Sequence, residues 1–466
     1  MNVRSALVAA ALVACSGRIE VYQVAPDQKH VLIGSGTSIR SIEVETLAEV
    51  GSTSDVYPGV AFFSRDGSKL VARSTHHSLV VAPTGGGKQV DFGPAIDLGT
   101  ISIDGTRVAF LQNPSPCSED RQFGCAELFS APSTGGEAIR IASGIRVAMS
   151  DSPYLLVPAA LMDYYLFAGN DTLVFTNGHD VMTVPADGSV PASVLAPGVI
   201  PFPGHDPIPP IFWILRDGRV VVQDGAGLVL MNARGGAPVR LADGDSTQLL
   251  CMARPDSTMD FSCPLSPAGS LAISSPSTQS ISTVRVLSLT GGASFTVSAS
   301  GVILFDSDGR LIFFDPDGFL SAALPSGEVR QLGNPAVEGY PGLSSPDGKW
   351  VPFSSPMKQV TVIGSGSSTS CVNCDRLQLL STVTGTTWRV TAGGKPLALS
   401  RFAFSPDSTS VLLQTPDRKL LVAPVGGGEP RTIEGDVDQA DWAGTNRIVV
   451  SRTRSSPAGV HFVEVR

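Results

Sequence analysis

Histidine is the residue type through which this chain could most readily hold a metal or move a proton. Four of its six histidines fall in segments that interrupt a repeating pattern: His76, His77, His179 and His205. Imidazoles that converge on one point could bind a divalent metal, but these four belong to different repeats and could equally lie apart on exposed loops. No Gly-x-Ser-x-Gly nucleophile elbow is present, and the acidic residues fall mostly in turns. We predict no metal, no cofactor and no catalytic residue.

Glycine-rich runs are the second candidates for chemistry. The run TGGGK at residues 84–88 lacks both the Gly-x-x-x-x-Gly-Lys-Ser/Thr frame and the following helix of a phosphate-binding loop. The parallel run VGGGE at residues 425–429 indicates a hairpin turn in both places. The acidic runs DSDG and DPDG, within residues 306–318, lack the distal glutamate of a calcium-binding loop. All of these runs are therefore predicted to be turns.

Six of the seven cysteines form three pairs that are close in sequence: Cys117 with Cys125, Cys251 with Cys263, and Cys371 with Cys374. In an exported protein, such spacing favours three local disulfides, each of which restricts the unfolded chain by closing a short loop. The CVNC run could instead be a redox motif or half of a zinc site. No βαβ pattern surrounds it, however, and no second ligand pair lies nearby, so disulfides are our prediction.

The seventh cysteine, Cys15, ends an N-terminal segment that is typical of an export signal. Arg4 is followed by a short apolar stretch, so residues 1–14 are predicted to be a signal peptide. The residues before Cys15, Leu-Val-Ala, resemble the lipobox of bacterial lipoproteins. This resemblance implies that Cys15 is acylated and begins the mature chain, that residues 15–18 form a lipid-anchored N-terminus, and that Ser16 directs the protein to the outer membrane. An ordinary signal peptide that contains a cysteine is the alternative.

Composition excludes several classes of protein. Only 16% of the 466 residues are charged and the net charge is −9, which does not fit the basic surface of a nucleic-acid-binding protein. Hydrophobic residues make up 42% of the chain, enough for a packed core. No apolar stretch reaches 18 residues, so the sequence predicts no membrane-spanning helix.

The chain repeats itself about every forty residues. Ten units begin at Ala25, Phe62, Ile101, Gly169, Leu215, Ser266, Asp306, Ser345, Phe402 and Trp442. Each unit has a short apolar strand A, an Asp-Gly type of turn, a β-branched strand B, a gap, an alternating strand C, a glycine-rich turn and a last strand D. Such turns supply the positive φ angles that tight hairpins need. The pattern predicts an all-β β-propeller of four-stranded antiparallel blades over residues 19–466.

The runs SPDGKW, SPDS and SRDGSKL resemble the WD40-like repeats of TolB-type propellers. TolB itself is a periplasmic propeller that works with the Tol–Pal envelope machinery. This chain departs from it because no separate α/β domain precedes the repeats. We predict about eight to ten repeat units in a single ring, with two tandem propellers split near residues 243–263 as the alternative. The last unit ends after strand C, and Ile19–Gln23 is predicted to complete it.

Propeller geometry predicts where the long insertions lie. A–B and C–D turns share one end of the ring, here called the turn face. B–C loops and D–A connections share the other end, the connection face. Long segments are predicted only at the connection face: the B–C loops Asn113–Cys125 and Gly364–Cys374, and the D–A connections Gly144–Leu166, Pro197–Pro210 and Asp243–Pro264. All six paired cysteines would then lie there.

The aromatic insertion Gly144–Leu166 includes Tyr154, Tyr164 and Tyr165, which are candidate anchors for a partner if they do not pack in the core. Long loops on a rigid scaffold often carry binding functions. The leading hypothesis is therefore a non-enzymatic, lipid-anchored propeller in the bacterial envelope, at the outer membrane and facing the periplasm or the cell surface. It would bind an envelope protein or peptide at the connection face and contact the membrane only through its lipid. A propeller enzyme with a metal-assisted funnel site, such as a lyase, cyclotransferase or lactonase, is the alternative, and a structural spacer is a third.

Overall fold

The structure is a computed structural model, and the part of the chain that it describes is built from β-strands. It describes residues 21–58, 61–97, 99–116, 123–148, 165–177, 180–197, 212–215, 217–224, 227–243, 248–249, 270–275, 282–289, 294–305, 309–317, 319–324, 326–332, 340–341, 345–355, 361–362, 368–374, 376–452 and 459–465. No helix within these ranges has the length and hydropathy needed to cross a bilayer. The strands are numbered β1–β43 in chain order.

The first five sheets are four-stranded antiparallel meanders, in which each strand pairs with the next one in the chain. The first sheet contains β1–β4 (Val21–Val24, His30–Ser35, Ser38–Glu43, Glu49–Ser54), and the second contains β5–β8 (Phe62–Phe63, Lys69–Arg73, Ser78–Pro83, Val90–Pro94). The third contains β9–β12 (Thr100–Ile101, Arg107–Pro116, Phe123–Pro132, Ile139–Ala148). The fourth contains β13–β16 (Tyr165–Phe167, Thr172–Thr176, Val181–Pro185, Ser193–Ala196), and the fifth β17–β20 (Phe212–Ile214, Arg219–Asp224, Gly227–Asn232, Val239–Asp243).

The later sheets continue this order with three variations. The sixth sheet contains β21–β24 (Gln248–Leu249, Ser270–Ser275, Ser282–Ser288, Phe295–Ala299), and the seventh β25–β28 (Gly301–Phe305, Leu311–Phe314, Leu320–Ala323, Val329–Gln331). The eighth contains β29, β30, β33 and β34 (Tyr340–Pro341, Trp350–Ser355, Arg376–Ser381, Thr387–Arg389). The ninth has six strands, β31, β32 and β37–β40 (Thr361–Val362, Ser368–Cys374, Leu399–Phe404, Ser410–Gln414, Leu420–Pro424, Arg431–Glu434). β35 and β36 (Thr391–Ala392, Lys395–Pro396) form a small hairpin, and the tenth sheet contains β41–β43 (Gln439–Trp442, Arg447–Arg452, Gly459–Glu464).

Hydrophobic packing joins the ten sheets into a closed cycle. Each sheet shares one buried cluster with the sheet before it and another with the sheet after it, as where Leu79 and Phe110 join the second and third sheets. The last cluster places Val24 of the first sheet against Val449 of the tenth. Within the described residues, these contacts are those of one ring with ten sheets, one for each repeat in the sequence. The predicted all-β fold of four-stranded antiparallel sheets is confirmed.

The inner and outer strands of the ring differ in burial. β13, a first strand, is buried throughout, whereas β28, a fourth strand, is exposed throughout. This contrast is expected in a ring, because neighbouring sheets crowd together near the axis and diverge at the rim. First strands therefore lie on the channel side, and fourth strands form the outer edge.

A repeated Ser-x-Asp hydrogen-bond pattern shapes the A–B turns. In the ninth sheet, the Ser405 hydroxyl donates to Asp407 Oδ1 at 2.6 Å, and the Ser410 N–H donates to Ser405 Oγ at 2.9 Å. The same pattern recurs in the second, third and eighth sheets, beginning at Ser64, Ser102 and Ser345. Turns that satisfy their own polar groups can be buried and repeated, which explains why this motif marks the repeats in the sequence.

The glycine-rich turns fit against the preceding sheet. Gly86, in the TGGGK run, has a φ of +89°, and a Cβ placed on it would lie 2.0 Å from the Val50 carbonyl oxygen. Glycine is needed here for both backbone conformation and close approach. The run connects β7 to β8 as the predicted hairpin turn.

The segment Asp243–Pro264 is not a D–A connection throughout, and this prediction is wrong. β21 pairs with β22 and is the first strand of the sixth sheet, so residues 250–269 join its first strand to its second. Both ends of this connection lie at the turn face. Cys251 and Cys263 themselves lie outside the described residues. A first strand of two paired residues leaves no periodic pattern that would have identified it in the sequence.

Two other segments pair with strands in ways that the sequence did not predict. Gly364–Cys374 lies in the B–C connection of the eighth sheet as predicted, but it includes β32, which pairs with β37 of the ninth sheet. Because β37 is a first strand, the β31–β32 hairpin lies on the channel side, where it satisfies a free strand edge. Val21–Gln23 pair within the first sheet, so they do not complete the tenth sheet. Ile19 lies outside the described residues.

Replacing Ser405 by alanine should lower the stability of the ring. Ser405 is fully buried, and its removal leaves the Ser410 N–H without its acceptor. We expect a loss of about 1–2 kcal/mol, seen as a lower midpoint of denaturant unfolding. Ser326→Ala is the matched control, because Ser326 is exposed in the C–D turn of the seventh sheet. Equal midpoints for the two variants would contradict the proposed role of the turn.

Candidate functional site at the connection face

The antiparallel meander places connections alternately at the two ends of each sheet. B–C loops and D–A connections therefore share the connection face, as the sequence predicted. Three features stand out at this end among the described residues: an extended ribbon in the third sheet, and two buried clusters that each contain an arginine, an aspartate and a tyrosine.

The ribbon consists of β10, β11 and β12, which have ten residues each, whereas strands of the second and fourth sheets have two to six. The extra length lies at the connection face, because β10 begins directly after its A–B turn. At about 3.3 Å per residue, the ribbon extends about 15 Å beyond its neighbours. Asn113–Cys125 was predicted to be a loop, but its described residues, up to Pro116 and from Phe123 onward, belong to strands β10 and β11.

The ribbon bends where it leaves the ring. Its pairing shifts between Gln112 and Ser115 on β10, and again between Ala126 and Leu128 on β11. Asn113 has a φ of +54° at the first of these bulges. β-bulges increase local twist and redirect a strand. The strands of the ribbon therefore run in a different direction beyond the bulges than in the sheet that supports them.

Polar contacts hold the ribbon together at this bend. Asn113 Nδ2 donates to Glu127 Oε2 at 2.5 Å, and Arg140 Nη1 donates to Glu127 Oε1 at 2.8 Å. These hydrogen bonds lower the pKa of Glu127 below its usual range. Glu127 therefore stays ionised and links all three strands.

The first buried cluster, here called the seam cluster, joins the two ends of the ring. Asp441 on β41 accepts hydrogen bonds from Tyr22 on β1, at 3.2 Å, and from Arg401 on β37, at 3.0 and 3.1 Å. Burial raises the pKa of Asp441, and the Arg401 guanidinium opposes that rise. Burial acts to lower the pKa of Arg401, but the nearby Asp441 carboxylate outweighs this effect, so that the pKa of Arg401 is raised. The Asp441 carboxylate thus accepts the donors of Arg401 and Tyr22, and this contact joins the tenth sheet to the ninth and first sheets.

The second cluster, here called the open cluster, contains the same residue types in the same order around the ring. Arg73 ends β6 in the second sheet, Asp97 precedes β9 in the third, and Tyr165 begins β13 in the fourth. Tyr165 Oη donates to Asp97 Oδ2 at 2.6 Å, and the Gly99 and Leu111 N–H groups donate to Asp97 Oδ1 at 3.2 and 3.3 Å. Burial raises the pKa of Asp97 to about 6, although these hydrogen bonds oppose the shift.

Arg73 does not complete this cluster. Its side chain is buried, yet within the described ranges its one hydrogen bond runs from Nη1 to the Ile96 carbonyl oxygen at 3.5 Å, and its Nε has no partner. Burial lowers the pKa of Arg73, and the nearby Asp97 charge partly offsets this. The contrast with Arg401, which contacts its aspartate directly, identifies Arg73 as an incompletely satisfied group.

Several predicted site residues can be placed. Tyr165 is fully buried in the core between the third and fourth sheets. It therefore packs in the core and is not an exposed anchor for a partner. Cys125 lies on β11 and Cys371 and Cys374 on β32. Outside the described residues lie Tyr154, Tyr164, Cys15, Cys117, Cys251 and Cys263. The lipidation and the three disulfides stay predictions.

The histidines do not form a common site in the described part of the chain. His76 and His77 are exposed in the B–C turn of the second sheet, and His179 and His205 lie outside the described residues. No group of three His, Cys, Asp or Glu side chains within the described ranges is placed to hold a metal ion.

Both buried clusters were missed by sequence reasoning. The signal that could have found them is a single charged residue inside an otherwise apolar run. Asp97 follows Ala95 and Ile96, and Asp441 lies between Ala440 and Trp442. Charged residues are seldom fully buried unless they are paired, so each such interruption indicates a polar contact with a neighbouring sheet.

Comparison with known proteins identifies the fold. No protein-family profile matches the chain, and no curated protein matches it. A solved structure of a eukaryotic initiation factor is similar to it, with a TM-score of 0.52 and 11% identity over 91% of this chain and 98% of that chain.

Two further solved structures are less similar. The WD40 domain of SCAP from fission yeast has a TM-score of 0.34 and 8% identity over 96% of each chain. An oligogalacturonate lyase in complex with manganese has a TM-score of 0.32 and 12% identity over 88% of this chain and 86% of that one. At such identities the similarity concerns the fold alone. The chain has a β-propeller fold, as its repeats predicted.

Proposed function

We propose that this protein is a non-enzymatic binding scaffold of the bacterial envelope, which recognises a protein or peptide at its connection face. The observation that carries the proposal is the ribbon formed by β10, β11 and β12. It extends about 15 Å beyond the neighbouring strands and is bent by bulges on two of its strands. A rigid ring that supports one projecting element offers a shaped surface for a partner.

The two faces of the ring differ in what they offer a partner. Tight turns such as those at Gly86 and Ser405 use their polar groups internally and pack against neighbouring sheets. The connection face carries the ribbon, the channel-side hairpin β31–β32 and the open cluster. Recognition at this face is therefore better supported than recognition at the turn face.

The proposed location rests on the N-terminal sequence. A signal peptide over residues 1–14 and a lipid on Cys15 would export the protein and attach it to the outer membrane, facing the periplasm or the cell surface. Local disulfides at Cys117–Cys125, Cys251–Cys263 and Cys371–Cys374 would suit that oxidising compartment. An acidic chain gains no attraction from anionic lipid, so the acyl chains would provide the attachment.

Site-specific photo-cross-linking should locate the partner at the connection face. A photoreactive residue at Ser115, which is exposed on the ribbon, is expected to give a defined adduct with an envelope protein in cells. The same probe at Lys88 or Arg234, in C–D turns, should give none. Ser115→Arg should weaken capture of that partner about tenfold while leaving the unfolding midpoint unchanged. Adducts confined to Lys88 and Arg234, or to the exposed fourth strands, would contradict the proposal.

Cys15→Ser should abolish the lipid attachment. We expect either release of the protein into the soluble periplasmic fraction or retention of the uncleaved precursor, whereas the unmodified chain should fractionate with membranes. Mass spectrometry of the mature N-terminus should find a diacylglyceryl-modified Cys15. A mature chain that begins elsewhere without modification would show that the lipobox resemblance is misleading.

A further inference from the structure

Arg73 stands between two connections that both belong to the connection face. On one side, the Tyr57 N–H donates to the Arg73 carbonyl oxygen at 2.9 Å and the Thr75 N–H to the Asp55 carbonyl oxygen at 2.7 Å. On the other side, the Ala95 N–H donates to the His77 carbonyl oxygen at 3.2 Å. Backbone hydrogen bonds thus fix the end of β6 between the D–A connections that precede and follow its sheet.

The guanidinium at this position has fewer acceptors than its donors require, within the described part of the chain. The Arg73 residue is 7% exposed. Among the described residues its Nε has no partner, and its one side-chain hydrogen bond, to Ile96, is long at 3.5 Å. Leaving a charged donor buried without an acceptor is unfavourable. In the seam cluster, by contrast, Arg401 on the first strand β37 contacts Asp441 at 3.0 Å. The fold can therefore close such a cluster, but it leaves this one open.

The surroundings of Arg73 are accessible at the connection face. Tyr57 is 38% exposed, and His76 and His77 are exposed in the turn that follows β6. Arg73 thus lies beneath a rim of polar, partly aromatic groups, and not within the apolar core. A ligand group could reach its guanidinium from this rim with a small movement of the side chains.

We propose that Arg73 binds a carboxylate group of the peptide or protein ligand. A carboxylate matches the planar Nε/Nη2 edge of a guanidinium and accepts two parallel hydrogen bonds from it. The ligand carboxylate would accept hydrogen bonds from Arg73, as the Asp441 carboxylate does from Arg401. The inference rests on the proposed scaffold function and adds to it the chemical group that is recognised.

Asp97 makes this binding depend on pH. Its ionised form repels an incoming carboxylate, and because burial raises its pKa to about 6, it becomes neutral as the pH falls through that value. Binding should therefore tighten on acidification. The other groups near the site are Arg73 and Tyr165, which keep their charge states in this range, and Tyr57, His76 and His77. Variants must therefore separate the contribution of the two histidines from that of Asp97.

The test uses the full mature protein and a defined probe, acetyl-trialanine with a free C-terminal carboxylate, compared with its C-terminal amide by calorimetry or NMR titration. The carboxylate should bind and the amide should bind at least about tenfold more weakly. Arg73→Gln should weaken carboxylate binding at least about tenfold. Arg418→Gln is the matched control, because Arg418 is another connection-face arginine but already pairs with Asp436 and Asp438 at 2.8 Å.

The pH dependence provides a second readout that does not rely on Arg73 variants. Affinity for the carboxylate should be about tenfold higher at pH 5.5 than at pH 7.5. Asp97→Asn should reduce this difference to less than about twofold, whereas the double variant His76→Gln with His77→Gln should retain it. Equal binding of carboxylate and amide, or unchanged binding by Arg73→Gln, would overturn the proposal. Photo-cross-linking at Ser115 distinguishes the two hypotheses, because adducts there together with no carboxylate binding would refute only the Arg73 site.

Discussion

Closure of the ring is the constraint on which the rest of the structure depends. Each of the ten sheets buries its two faces against its neighbours, so the first and tenth sheets must find each other or leave apolar faces in water. They meet through Val24 and Val449 and through the hydrogen bonds of Asp441 with Tyr22 and Arg401. The contact spans 419 residues of sequence, so it forms only when the whole array is in place.

Local chemistry made the individual sheets predictable. The Ser-x-Asp turns and the glycine hairpins are set by residues within six positions of one another, as at Ser405, Asp407 and Ser410. Their recurrence was enough to predict the all-β fold, the strand order and the placement of most connections. The ten units recognised in the sequence correspond to the ten sheets of the ring.

Features that depend on contacts between distant segments were not predictable. β21 pairs through Gln248 and Leu249 alone, which is too short to show a period, so the sequence did not reveal the first strand of the sixth sheet. β32 is a strand because it pairs with the edge of β37, and the local sequence around β32 contains no pattern that indicates this partner. Arg73 and Asp97 come from different sheets, so only the ring brings them near Tyr165. Sequence reasoning located the connection face but not the side chains that distinguish it.

The point at which the chain enters the ring has a consequence for orientation. Val21 begins a first strand, and first strands start at the connection face. Six positions separate Cys15 from Val21, a tether of about 20 Å at full extension. A lipid on Cys15 would therefore turn the ribbon and Arg73 toward the bilayer. Only partners that lie at the membrane surface, or emerge from it, would fit into the narrow gap between lipid and ring, and soluble proteins approaching from the opposite side would meet only the turn face.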